Sequence, residues 1–167
     1  MPSIIKIIEE SLKLLGQHNV DCVIIGGVAA TLHGATILTN DLDVCYARSA
    51  GNLEKLATML RAVNARLRTV PADVPFLLDA DSLRRGLNFT FSTDVGSLDL
   101  LGEVAGVGLY EDVVSGAIMY ELFGYLFPVI DIEKLILAKR TAGRPKDMIT
   151  LPELEAIRER QLRDRSE

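Results

Sequence analysis

The sequence predicts an α/β (α+β) fold: a mixed, mostly antiparallel twisted sheet with helices packed mainly on one side and further helices at the C-terminal end. Three observations carry this. Short apolar or alternating runs interleave with segments of helical periodicity. Asp94-Val95-Gly96 and Phe123-Gly124 each separate two such runs in the manner of antiparallel hairpins. The composition, 49% apolar and 25% charged over 167 residues, is that of a soluble globular chain. A chain of this length buries roughly 70% of its unfolded surface, enough for one proper core and too little for two full domains. Residues 1–167 are therefore read as a single unit, with a core over about 20–130 and a helical part over 131–162.

The elements follow in order. Ile4, Ile5, Ile8, Leu12 and Leu15 recur at helical spacing, so a helix over 3–16 is expected, ending at Gly16. Its acidic residues stand where a secretory leader would carry a basic flank, so it reads as an amphipathic helix. Cys22–Ile25 is continuously apolar, as in a strand buried on both faces, and Gly26-Gly27 breaks it. A short helix to His33 and a strand over 42–46 come next. Ser49 or Asn52 caps a helix to about Val63, with Leu53, Leu56 and Leu60 on one face. Residues 69–86 are mixed, with Pro71, Pro75 and a short helix near 79–85. Strands are expected over 87–93 and 97–104, then a short helix at Tyr110, then strands over 117–122 and 125–129. Asp131 caps a helix to about Thr141, which Gly143-Arg144-Pro145 ends. Thr150-Leu151-Pro152-Glu153 has the form of a capping box and predicts a last helix from there to about Leu162, with a fraying tail.

Several function classes fall away. The most apolar window, 113–130, holds Glu121, Ser115, two glycines and Pro128 and reads as two strands, not a membrane span. Cys22 and Cys45 lie in apolar runs without metal-type spacing, as core residues do in a reducing, cytoplasmic setting. There is no G-x-G-x-x-G and no P-loop, His18 and His33 have no nucleophile near them, and without Trp there is no stacking platform for single-stranded nucleic acid. The net charge of −5 is uneven: residues 134–167 hold nine Lys/Arg against six Asp/Glu, whereas residues 1–133 hold nine against seventeen. Such a basic end suits phosphates, and it equally describes a solvated helix surface.

The informative segment is Val23-Ile24-Ile25-Gly26-Gly27, then thirteen residues, then Asp41-Leu42-Asp43. On a strand, Asp41 and Asp43 project to one face, and two close carboxylates call for a cation between them. Mg²⁺ is the economical choice, with Mn²⁺ its equivalent, because it takes hard oxygen ligands and leaves room for waters and phosphates. Gly-Gly at a strand-to-helix turn lets backbone approach a phosphate. If the Ser97–Val104 strand lies beside Asp41–Asp43, Asp99 becomes the third carboxylate that two-metal phosphoryl transfer needs.

These residues resemble the nucleotidyltransferase superfamily with a polymerase-beta-type core. The chain is most similar to small minimal nucleotidyltransferases and abortive-infection-type nucleotidyltransferase toxins. The resemblance runs from about Val20 to Ile157 and includes Asn88-Phe89-Thr90, Leu98-Asp99-Leu100-Leu101-Gly102 and Ala138-Lys139-Arg140 with Gly143-Arg144-Pro145-Lys146-Asp147. It implies a nucleotidyltransferase fold and transfer of an NMP from an NTP to a hydroxyl of an RNA, protein or small-molecule acceptor, in some relatives within a toxin–antitoxin system. By the resemblance Gly26 and Gly27 contact the triphosphate, and Asp41 and Asp43 bind Mg²⁺ or Mn²⁺. Asp99 completes the metal site and acts as base. Lys139, Arg144 and Lys146 reach phosphates or acceptor, and Thr39 supports the Asp41 loop. Similar sequences often carry a basic residue where this chain has Ile37. That departure suits an alternative, a catalytically degenerate module that binds a nucleotide or partner on the same fold. The apolar 117–129 hairpin is compatible with a homodimer or a small partner subunit.

Overall fold

The computed structural model describes residues 3–167. Helix α1 (Ile4–Gln17) starts at Ser3, whose hydroxyl accepts a hydrogen bond from the Lys6 amide. It continues one residue past Gly16, and the reversal falls instead at Asn19 in the left-handed region. Gly16 serves packing: a Cβ there would run into the Tyr125 ring. Strand β1 (Cys22–Ile25) leads directly into α2 (Gly26–Leu32), so the two glycines form the first turn of the helix and are not a gap before it. Strand β2 (Asp41–Tyr46) and helix α3 (Ala50–Ala62, capped by the Ser49 hydroxyl) follow. Next come β3 (Arg66–Leu67), α4 (Ala80–Arg85, capped by Asp79), β4 (Asn88–Thr93) and β5 (Gly96–Leu101).

The strand expected to reach Val104 ends at Leu101. The Gly102 amide turns to the Leu87 carbonyl and the Asn88 side chain. The chain then forms a small separate ribbon, β6 (Glu103–Val104) with β7 (Gly108–Leu109). Helix α5 (Tyr110–Val114), the hairpin β8 (Ile118–Leu122) and β9 (Tyr125–Val129), and α6 (Ile132–Ala142, capped by Asp131) complete the middle of the chain.

The C-terminal expectation is corrected. Helix α7 runs unbroken from Pro145 to Ser166, so Thr150-Leu151-Pro152-Glu153 opens nothing and the tail is helical. The true start is Pro145 at the first position, with Asp147 accepting from the Arg144 amide. The Thr150 hydroxyl donates back to the Lys146 carbonyl inside the helix. Pro152 lacks the N–H that the Met148 carbonyl would otherwise accept, and Met148 lies on an exposed stretch with Ile149, where water can take that place.

The seven-stranded sheet has the order β3-β4-β5-β2-β1-β9-β8. Neighbours pair antiparallel except β1 with β9 and β2 with β5. One face is apolar and buried: Leu42 and Val44 of β2, Leu98 and Leu100 of β5, Phe89 and Phe91 of β4. Residues between them, including Asp41, Asp43, Thr90, Ser97 and Asp99, point to the other face. The same hydrophobic cluster takes in Leu12 and Leu15 of α1, Leu53, Leu56 and Leu60 of α3, Leu135 and Ile136 of α6, and Leu151, Leu154 and Ile157 of α7. Cys22 and Cys45 are free, buried members of it, and burial pushes each thiol up to about 12. His33 closes α2 against the sheet by donating through Nε2 to the Ile130 carbonyl at 2.7 Å. No helix of the described residues is long and apolar enough to cross a membrane.

Asn52 is the main polar tie of this core. Its Oδ1 accepts from the Asp21 amide at 2.8 Å, and its Nδ2 donates to the Asp21 and Ala47 carbonyls at 3.0 and 2.7 Å. It thereby fixes the start of α3 to the entry of β1 and the exit of β2, which lie side by side at one end of the antiparallel pair. Asn52→Ala takes the side-chain partner from the Asp21 amide and the Ala47 carbonyl, while the Asp21 carbonyl keeps the Ala47 amide, and urea unfolding is expected to show a loss of about 1–3 kcal/mol. A loss below about 0.5 kcal/mol, the range of ordinary surface changes, would show that water replaces the amide there.

Candidate active site

Asp41 and Asp43 stand on β2 and Asp99 on β5. The two strands pair in parallel with Asp43 directly opposite Asp99 and Asp41 opposite Ser97. The buried partners Leu42, Val44, Leu98 and Leu100 hold this register, because a slip of one residue would drive the carboxylates into the core. Three acids thus meet at the middle of the sheet. The Asp43 carboxyl is pushed up to about 7, first by burial, then by the charge of Asp99 and a hydrogen bond to it, then by Asp41, while Lys146 pulls the other way. A carboxyl in this state lacks positive charge.

The glycines before it are shaped by these acids. Gly26 has φ +66, and a Cβ there would run into the Asp43 carboxylate. A Cβ on Gly27 would meet Thr39 at 2.8 Å. Both glycines therefore make room for side chains of the site itself. Thr39 in turn fixes the approach to β2: its hydroxyl donates to the Asp41 carbonyl at 3.0 Å and lies 3.4 Å from the Asp41 amide.

The basic residues of the C-terminal part reach the same cleft. It has a volume of about 450 Å³, with Gly26, Gly27, Thr39 and the three acids on one side and Lys139, Arg144 and Lys146 on the other. Gly143, in the left-handed conformation, ends α6 and lets α7 turn back, so that cations from both helices face the acids. Asp147, fully buried, organises two of them. Arg144 donates to it through Nε at 2.7 Å and a second guanidinium nitrogen at 3.2 Å, and Lys139 Nζ lies 3.5 Å away. Burial pushes the Asp147 carboxyl up, but Arg144 and Lys139 outweigh it and hold the group below the usual carboxylate range. Lys146 has no ion-pair partner within 4.0 Å among the described residues. Ile37 and Leu38 line the cleft, with Leu38 almost wholly exposed.

Two contributors escaped the sequence reading. Asp147 looks in sequence like an acid at a helix start, and its burial arises from the fold. Arg68 lies just past β3, and its guanidinium forms an ion pair with Asp99 and stands 3.6 Å from Asp41. The Arg66-Leu67-Arg68 alternation is strand-like but too short to read. Among the described residues no group of three or more His, Cys, Asp and Glu side chains is gathered as a ready metal cage. The donor chemistry nonetheless fits a hard divalent cation: all-oxygen ligands, crowded, with one carboxyl raised by burial and then by the neighbouring acids.

In sequence the chain matches no protein-family model and no curated protein. Solved structures do match. The lincomycin-bound crystal structure of the lincosamide antibiotic adenylyltransferase LnuA superposes with a TM-score of 0.58 at 13% identity, covering 91% of this chain and 96% of that one. The solution structure of the antibiotic-resistance factor ANT(2'')-Ia gives 0.54 at 15% identity, covering 96% and 91%. The likeness is one of fold, and the chain has the nucleotidyltransferase fold.

Two predictions follow from the geometry. Asp43 binds its proton more tightly folded than unfolded, so its contribution to stability is present below pH 4 and lost as pH rises toward about 7. Metal-free protein should therefore lose stability between about pH 4 and 7, and Asp43→Asn should remove on the order of 1–2 kcal/mol of that decline. Equal pH slopes in the two proteins, measured by urea unfolding, would contradict the crowding. Gly26→Ala combines an unfavourable φ with a collision against Asp43 and should cost about 1–3 kcal/mol in the same measurement; a neutral change would show that the β1–α2 turn relaxes.

Proposed function

We propose that the protein is a divalent-metal-dependent nucleotidyltransferase that moves an NMP from an NTP to an acceptor hydroxyl. The observation that carries this reading is Asp43 opposite Asp99, with Asp41 beside them, across a cleft from Lys139, Arg144 and Lys146. Acids for cations and cations for phosphates face each other at the scale of a nucleotide. The fold is also one on which a lincosamide adenylyltransferase is built.

In this reading Asp41, Asp43 and Asp99 hold Mg²⁺ or Mn²⁺, which when bound neutralises phosphate charge and acidifies the attacking hydroxyl. Lys139, Arg144 and Lys146 bind the triphosphate electrostatically, with Asp147 fixing the first two. Gly26, Gly27 and Thr39 form the wall against which the nucleotide lies. Asp99 accepts the proton of the acceptor hydroxyl. The hydroxyl oxygen bonds to the α-phosphorus, the bond from that phosphorus to the bridging oxygen breaks, and pyrophosphate leaves. The chain contributes mainly position and charge.

The acceptor is an RNA end, a protein hydroxyl or a small molecule. The basic run of α7 supports a phosphate-bearing one, and a toxin–antitoxin setting is part of the proposal. We read residues 1–167 as one catalytic unit, working in the cytoplasm, where the two buried thiols stay reduced. Ile118, Met119, Phe123 and Leu126 are exposed on the β8–β9 hairpin at the sheet edge, which supports a second copy or a small partner subunit there. A specific observation favours a second reading, a degenerate nucleotide- or partner-binding module: Ile37 puts an apolar wall where a further cation would meet phosphate.

The test is transfer of label from each α-³²P NTP, with Mg²⁺ or Mn²⁺, into RNA, protein and small-molecule pools. Label is expected, and Asp43→Ala should lower it by about 10²–10³-fold or more. Folded protein that labels nothing and takes up no Mn²⁺ leaves the binding-module reading standing.

A further inference from the structure

We propose that Arg68 is a built-in counter-cation of the carboxylate cluster, which steadies Asp41 and Asp99 in the metal-free protein and gives way when a divalent cation binds there. The inference rests on the metal-binding reading above. Arg68 comes from the far side of the site. Its amide donates to the Thr90 carbonyl at 2.9 Å, which anchors the residue beside β4, two strands away from β2. Its side chain crosses β4 to reach Oδ1 of Asp99 on β5 and Oδ1 of Asp41 on β2. It joins the two acids that lie off the centre of the cluster, and Asp43 is left facing both.

The oxygens that Arg68 uses are ones a divalent cation would need. A guanidinium does not lose its proton under any ordinary condition, so it can leave them only by moving. The structure provides for movement. Arg68 lies in the turn after β3, a two-residue strand at the edge of the sheet, and its side chain is 30% exposed. Two cations drawn to the same carboxylate oxygens repel each other, so each weakens the other's hold. Arg68 therefore stabilises the empty site and competes with metal. A residue with an ordinary supporting role in metal binding would do the opposite, and its loss would weaken the site.

That opposition is the test. Mn²⁺ binding is measured by titration calorimetry at fixed pH and low salt on wild type, Arg68→Ala, Arg68→Lys and Asp43→Ala, with circular dichroism as the folding control. Arg68→Ala is expected to bind Mn²⁺ about three- to tenfold more tightly, as expected for losing one or two partly exposed ion pairs. Arg68→Lys should fall between, since lysine keeps the charge and loses the fork. The metal-free melting temperature of Arg68→Ala should drop, and saturating Mn²⁺ should close the gap. If wild type binds Mn²⁺, Asp43→Ala does not, and Arg68→Ala binds equally or more weakly, the counter-cation role is overturned while the metal site stands. If no protein in the set takes up Mn²⁺, Arg68→Ala included, both readings fail together.

Discussion

The structure turns on one unfavourable contact, two carboxylates set face to face in a parallel strand pair. Like charges directly opposite each other weaken a sheet. Here the pair sits on the central β2–β5 ladder, and the register cannot shift to relieve it, because Leu42, Val44, Leu98 and Leu100 fill the opposite face. Neighbouring features answer this contact. Gly26 gives up its side chain so that the Asp43 carboxylate has space, Thr39 secures the backbone of Asp41, and Arg68 brings a charge across two strands. A clash sustained in this way is the feature on which the proposed divalent-cation site rests.

Asp147 shows what the same chain does with an acid that has a structural task. It is fully buried, as Asp43 is not, yet its carboxyl stays below the usual range because Arg144 and Lys139 are permanently beside it. Asp43 is raised first by burial and then by two acids nearby, with only Lys146 pulling the other way, and its carboxyl rises to about 7. One acid is complete within the protein; in the metal-binding reading proposed above, the other would be completed from outside. The two share one cleft, so the self-sufficient cluster positions the cations that face the unfinished one.

Much of this was legible in the sequence because it is local. Ser49, Asp79 and Asp131 each announce a helix start within four residues, and both hairpins show in their turns. The Asp-x-Asp spacing places two acids on one face of any strand, and Asp99 needed one further assumption, that its strand lies alongside. What stayed hidden depends on distance along the chain. The meeting of Arg68 with Asp99, the burial of Asp147 and the tight seat of Gly16 against Tyr125 are set by packing between remote elements. The start of the last helix was misplaced because Thr150-Leu151-Pro152-Glu153 imitates a cap so well. Tertiary packing of Leu151, Leu154 and Ile157 carries the helix straight through it.

The β1–β9 pairing also governs how the molecule comes into being. Ile24 is matched with Val129, and His33 reaches the Ile130 carbonyl, across roughly a hundred intervening residues. During synthesis β1 and β2 can zip together early, but the outer edge of β1, an unbroken Cys-Val-Ile-Ile, waits bare until β9 leaves the ribosome. Closing so long a loop is slow, and an apolar edge left open in the meantime invites pairing with another nascent chain. The geometry that assembles the cleft late thus makes the yield of folded protein depend on how quickly its final third is translated.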